Sequence, residues 1–317
     1  MEKTTQLKIA DIVIKIKSNV DFQQPYSVDE SFQFFNRVNN FIYDEDRQHD
    51  ILINVNVVNK LPEARASRSL FANYHIEDGS ASWQLLKKEK GYIYRTSYRS
   101  KKQIALINEE FNNVNVYIAS EKNDSFRTIY FIIYTFLQVL LINYLALRKE
   151  GILVHAMGLK DVNCDGILFM GKSGDGKTTS AKIWHEHSDA TVLNDDRIII
   201  RRKGGNFSIY SSPWYGNFGD YLDSPAVRIE SAPLKRMFFI SHSLSNMQER
   251  IQKKEAFKLL CTVIFYAFWD KGYSENIFML GSELIKHTDC FKLGFIADKR
   301  IIEFTRSIEK QGGVFDE

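Results

Sequence analysis

The stretch Ile167–Thr179, I-L-F-M-G-K-S-G-D-G-K-T-T, constrains this chain more than any other. Four apolar residues, Ile167 to Met170, predict a short buried strand. A tight loop carrying Gly171, Gly174 and Gly176 follows, then Lys177 and Thr178, and Thr179 to Trp184 reads as the helix that leaves it. The segment matches G-x-x-x-x-G-K-[ST] in full, with a strand before it and a helix after it. Each residue type has a reason. Glycines let backbone N–H groups come close to phosphate oxygens. The helix N-terminus adds the positive end of its dipole. Lys177 has the reach for β- and γ-phosphates, and the Thr178 hydroxyl suits Mg²⁺. The candidate nucleotide-binding residues are therefore Gly171, Ser173, Gly174, Asp175, Gly176, Lys177, Thr178 and Thr179, with ATP or another nucleoside triphosphate and Mg²⁺ as cofactors. A glycine-rich turn that matches by chance is the competing reading.

Eighteen residues beyond the lysine, the apolar segment Ala190–Asn194 ends in Asp195 and Asp196. A site for Mg²⁺ and a nucleotide needs acids here. One carboxylate can hold or orient the metal, and the other can take a proton from a hydroxyl nucleophile. Adjacent like charges raise one of the two pKa values, which suits a base. An exposed Asp-Asp turn is the alternative. Upstream, Gly151–Leu159 reads as a strand carrying His155. It joins the phosphate-loop strand through the turn Lys160–Gly166, as a hairpin. A lone histidine in an apolar strand fits a core role or a catalytic one, and the residues alone leave both open. Ser211–Asp223 has the aromatic and glycine-rich composition of an ordered binding loop. Its Asp220 could add a metal contact, or the loop could be structural.

Residues 1–125 read as a β-rich N-terminal module. Lys8–Lys17, Ile51–Val58, Tyr92–Tyr98 and Val114–Ala119 each predict a half-buried antiparallel strand. Ser31–Phe41 predicts a short helix or an irregular cover. Phe32, Phe35, Tyr43 and Phe71 are expected in the core. Residues 126–150 hold Ile129–Leu147, which is 19 residues without a charge. That length would just span a bilayer. Gln138 and Asn143 lie within it, and Tyr130, Tyr134 and Gln138 recur at i+4, so a core or interdomain helix is expected rather than a span. Residues 151–317 form the nucleotide-binding domain. There Leu234–Ile240 predicts a strand, Glu255–Trp269 and Ile277–His287 helices, and Phe291–Ile296 with Ile301–Phe304 a closing strand pair. A frayed tail follows.

A net charge of +3 over 317 residues is too small to argue for nucleic acid. Cys164, Cys261 and Cys290 lack metal-ligand spacing and read as reduced thiols. With no apolar core for a signal peptide at the N-terminus, a cytoplasmic location is expected.

His155, then G-K-S-G-D-G-K-T-T at 171–179, then L-N-D-D-R at 193–197 form an ordered combination that resembles the catalytic domain of HPr kinase/phosphorylase and of HPr-kinase-related proteins. The loop is also similar to that of ATP-dependent phosphoenolpyruvate carboxykinase. The resemblance covers about residues 150–305. It implies a P-loop HPr-kinase-like, phosphoenolpyruvate-carboxykinase-like catalytic domain, which after the β-rich module makes a mixed α/β chain. It also implies a serine kinase in which Lys177 binds phosphates, Thr178 holds Mg²⁺, and Asp195 is the general base. Asp196 would support the metal, and His155 would belong to the catalytic site. The acceptor would be a serine of a protein or peptide, since some relatives phosphorylate a precursor peptide in biosynthesis. The family's metal-binding Glu after the Asp pair has no match in P-W-Y-G-N-F-G-D, which puts phosphorylase activity in doubt. The alternatives are a non-catalytic nucleotide-binding regulator and a small-molecule kinase. A homo-oligomer stays open.

Overall fold

The computed structural model describes residues 2–20, 40–45, 47–74, 81–98, 101–119, 136–218 and 229–308, with Val38 and Ile132. It is mixed α/β, built on two eight-stranded sheets. The chain divides into two compact units: Met1–Lys149 with Tyr266–Asn276, and Glu150–Phe265 with Ile277–Glu317. The sequence reading puts Tyr266–Asn276 wholly in the second domain.

In the first unit the strands are β1 (Lys3–Ile9), β2 (Ile12–Ser18), β3 (Ile51–Val58), β4 (Arg68–Tyr74), β5 (Ala81–Lys87), β6 (Tyr92–Tyr98), β7 (Lys101–Ile107) and β8 (Asn113–Ala119). Their order is β1-β2-β3-β8-β7-β6-β5-β4. Lys8–Lys17, expected as one strand, is instead broken by a turn at Ala10 and Asp11, both at positive φ, and folds back as a hairpin. Nor is the sheet purely antiparallel, because β3 runs parallel to β2 and to β8. Period-two alternation reports which face is buried and is blind to strand direction.

Helix α1 (Gln138–Arg148) covers the uncharged run from Gln138 onward. Ile129–Tyr130 and Tyr134 lie outside the described residues, as do Phe32, Phe35, Asp220 and the tail. Among the described residues no helix is long and apolar enough to cross a membrane. The polar Asn143 is fully buried, and both ends of its amide are used. It donates to Val139 O at 2.7 Å and accepts from Trp269 Nε1 at 2.9 Å. A buried amide satisfied in this way costs little and fixes one orientation of the helix. Phe71, expected in the core, is only half-buried; it packs against Trp83 and the exposed Phe268.

The second unit contains β9 (Gly151–Lys160), β10 (Gly166–Met170), α2 (Lys177–His187), β11 (Thr191–Asn194), β12 (Arg197–Lys203), β13 (Asn206–Tyr210), β14 (Ser231–His242), β15 (Met247–Arg250), α3 (Lys253–Cys261), the portion of α4 (Lys271–His287) from Ile277 onward, β16 (Asp289–Phe295) and α5 (Arg300–Ser307). Strands β10-β9-β12-β13-β14 follow one another, and β10 also pairs with β14, so these five form a closed ring of paired strands. β10, β14 and β16 are parallel, with Phe169 opposite Phe238 and Phe238 opposite Phe291. These rings stack at 5.3 and 5.5 Å in the core. A one-residue slip of β10 would turn Phe169 away from this ladder, so the ladder fixes where the strand ends and the glycine loop begins.

Two helical expectations shift. The segment expected as one helix from Glu255 to Trp269 is helical only to Cys261. Beyond it Val263 O accepts from His155 N, and Phe265 N donates to Leu153 O, so β9 competes successfully for this backbone. Ile301–Phe304, expected as a strand, lies instead in α5. There Ile301, Ile302 and Thr305 are buried at helical spacing, while β16 already has β14 and β15 as neighbours.

Helix α5 is tied to the β9–β10 turn. Arg306 donates to both oxygens of Asp161, at 3.1 and 2.6 Å, and Val162 N donates to Oδ1 at 2.9 Å. Burial alone pushes the Asp161 carboxyl up. The Arg306 hydrogen bonds, the Val162 N–H and the guanidinium charges outweigh that and hold it below the usual carboxylate value. Arg306→Ala should therefore cost about 2 kcal/mol at neutral pH, less than a fully buried pair because Arg306 is partly exposed. A depressed carboxylate stabilises the fold above its unfolded pKa and loses that contribution as pH falls through its folded value. The gap in urea midpoint between wild type and variant should thus narrow as pH falls below the ordinary aspartate value. A gap independent of pH would exclude the ion pair as its cause.

Candidate functional site

The site forms at the carboxyl ends of the parallel strands β10, β14 and β16. Gly174 and Gly176 adopt φ of +92° and +97°. At Gly176 a Cβ would also lie 2.7 Å from Phe295 Cζ, so both conformation and space require glycine there. The loop braces itself. Lys172 N donates to Asp175 Oδ2 at 2.5 Å, and Asp175 N donates to Lys172 O at 3.2 Å. Ser180 N is bonded to Gly176 O. The N–H groups of Lys177, Thr178 and Thr179 precede this bond, and a helix start leaves such donors without intrahelical partners.

Lys177 is only 6% exposed. Its ammonium donates to Gly171 O and Lys172 O, both at 2.8 Å, and so lies folded over the loop it follows. Burial lowers its pKa from the ordinary lysine value, and the charges of Asp175, Asp196 and Asp195 oppose this in part.

The turn between β11 and β12 delivers the two acids. Asn194, fully buried, accepts from the backbone N–H groups of Asp196 and Arg197 at 2.8 and 2.9 Å and donates to Ser212 O at 3.0 Å. This polar clamp sets the turn and sends the two carboxylates to different partners. Asp195, 2% exposed, accepts from Thr178 Oγ1 at 3.0 Å, Gly216 N at 2.8 Å and Phe218 N at 3.0 Å. Burial pushes its carboxyl above the usual range, against the pull of these three donors. Asp196 accepts from His155 Nε2 at 3.0 Å and pairs with Arg197. Burial would raise its pKa too, but the His155 hydrogen bond and the charges of Arg197, His155 and Lys177 bring it below the ordinary value. Adjacent acids are thus driven in opposite directions.

His155, Ser173, Gly174, Gly176, Lys177, Thr178, Thr179, Asp195 and Asp196 line one open, largely polar pocket of about 360 Å³, completed by Gly216 and Asn217. Gly171 and Asp175, also in the loop, do not line it. Gly216 was missed in the sequence reading, although it sits within the glycine-rich segment. A Cβ there would lie 2.9 Å from Asp195 Oδ2, so its absence lets the backbone reach the acid. His242 was missed as well, and it donates from Nε2 to Gly174 O at 2.9 Å.

Among the described residues no cluster of three or more His, Cys, Asp or Glu side chains could hold a metal ion unaided. A hydroxyl and one or two carboxylates suit an ion that takes its remaining oxygens from a phosphate chain and water, which is how Mg²⁺ is commonly bound beside a nucleotide. The donor set therefore fits Mg²⁺ together with a nucleotide.

No protein-family model matches the chain, and no curated protein matches it. Among solved structures it is similar to the Hpr(Ser) kinase/phosphatase from Coxiella burnetii, at 12% identity and a TM-score of 0.28, covering 50% of this chain and 99% of that one.

Proposed function

We propose that this chain is a Mg²⁺- and ATP-dependent kinase that transfers the γ-phosphoryl group to a serine hydroxyl of a protein or peptide. The observation that carries the reading is the Thr178–Asp195 hydrogen bond at the mouth of a complete phosphate loop. It joins the loop's metal-binding hydroxyl to a buried, oriented carboxylate inside one pocket. The P-loop character of the domain and its likeness in sequence to HPr-kinase-related proteins are part of the same proposal.

In this reading the loop N–H groups and Lys177 bind the phosphates, which requires the ammonium to exchange Gly171 O and Lys172 O for phosphate oxygens. Thr178 and Asp196 hold Mg²⁺, which when bound would neutralise charge on the phosphates. Asp195 takes the hydroxyl proton as the serine oxygen bonds to the γ-phosphorus and the bond to the leaving diphosphate breaks. Opposed environments support this division of roles: the acid pushed up by burial suits a base, and the acid held down by His155 and Arg197 stays ionised. His155 then serves by orienting Asp196.

The test is incubation with γ-labelled ATP and Mg²⁺ in the presence of candidate acceptors, including proteins encoded beside this one. Labelled phosphoserine on one acceptor is the expected result. Tight nucleotide binding without transfer to any acceptor would point to the non-catalytic regulator, and label on a small molecule to the small-molecule kinase.

A further inference from the structure

A phosphate loop works only if its peptide planes are held, because the donors are backbone N–H groups. Gly174 is the weak point. It has no side chain, its φ is +92°, and a Cβ built on it would meet nothing within 4 Å. Glycine loses more conformational freedom on ordering than any other residue. The loop's internal bonds, from Lys177 Nζ, Lys172 N and Asp175 N, all bypass the Gly174 carbonyl. Among the described residues it accepts from His242 Nε2 alone, at 2.9 Å. A carbonyl only accepts, so that nitrogen carries the hydrogen.

The Gly174 carbonyl and the Asp175 N–H belong to one rigid plane. Holding the first therefore holds the second, which is the donor to Lys172 O. His242 ends β14, 68 residues further along the chain, and its ring stacks on Phe295 at the end of β16, with centroids 5.8 Å apart. The space left by the missing Gly176 Cβ is filled by both rings, with Phe295 Cζ at 2.7 Å and His242 Cε1 at 3.3 Å from the built position. The loop thus rests on two rings and is pinned by one of them.

We propose that His242 is a positioning residue for nucleotide binding, acting through its hydrogen bond to Gly174 to hold the Gly174–Asp175 peptide plane, and with it the turn on which the shape of the phosphate loop depends. It touches the loop rather than the reacting atoms. The proposal deepens the kinase reading and rests on it.

His242→Phe keeps a ring on Phe295 but removes the donor. His242→Gln carries an N–H group at the same bond count from Cα as Nε2. His242→Met matches Gln in length without a donor. In calorimetric titration with Mg·ATP, the Phe and Met variants should bind about two- to twelvefold more weakly than wild type, the span expected for one hydrogen bond. The Gln variant should bind within about twofold of wild type, and all three should keep the wild-type thermal midpoint. Wild-type affinity in both the Phe and Met variants would overturn the proposal, and so would a Gln variant as weak as Met. If wild type binds Mg·ATP and these variants match it, only the role of His242 falls. If wild type does not bind Mg·ATP, the kinase reading falls and the proposal with it.

Discussion

Replacement of Lys177 by methionine is expected to lower Mg·ATP affinity by on the order of 10²-fold or more. The ammonium now shares its charge with Gly171 O and Lys172 O. A bound nucleotide would offer doubly charged phosphate oxygens instead, and a charge-assisted hydrogen bond contributes about 1.5–3 kcal/mol. Two such bonds account for the predicted loss. Methionine keeps the buried stem filled, so the thermal midpoint should fall little. Titration of wild type and variant with Mg·ATP measures the difference. Equal affinities would mean that this loop does not bind the nucleotide.

The parts of this site that the sequence exposes are those made by neighbours along the chain. Ile167–Met170, the glycines and Lys177–Trp184 specify strand, loop and helix by local rules: an apolar run, residues that tolerate positive φ, and a helix whose first donors are free. The Asp pair is legible because it ends an apolar segment eighteen residues beyond Lys177; that Asn194 clamps its turn is seen only in the fold. What brings the acids different partners is not local. Asp195 meets Gly216 and Phe218 because the loop after β13 folds back on it, and His155 reaches Asp196 only because β9 and β12 pair with His155 opposite Arg197. His242 and Phe295 arrive beneath the loop through the parallel register of β10, β14 and β16. No pattern around Ile240 or Leu293 announces that register. The same distinction explains the misread ends. Ile301–Phe304 has strand-like composition, and only the occupied neighbours of β16 make it a helix. The turn at Ala10 and Asp11 was hidden because neither residue is glycine, although both adopt positive φ.

Asp195→Asn is expected to retain Mg·ATP binding within about tenfold while losing ~10²–10⁴-fold in phosphoryl transfer. Its carboxylate accepts three hydrogen bonds, two at Oδ2 from Thr178 and Phe218 and one at Oδ1 from Gly216. An amide in its place keeps the carbonyl oxygen best at Oδ2, where two donors meet. The NH₂ group then faces the Gly216 N–H, donor against donor, at a cost of about 1–3 kcal/mol of stability. That cost lowers the thermal midpoint but leaves the phosphate loop intact, since its bracing bonds come from Lys172, Asp175 and Lys177. Transfer is affected differently, because asparagine cannot take the serine proton. Asp196→Asn should separate from it. That side chain is held by His155 and Arg197, and its loss should raise the Mg²⁺ concentration needed for half-maximal rate. Titration, thermal unfolding and label transfer on both variants resolve the two acids. Wild-type transfer by Asp195→Asn would remove it as the base. A rate loss in Asp195→Asn recovered by excess Mg²⁺ would give it the metal-binding role instead.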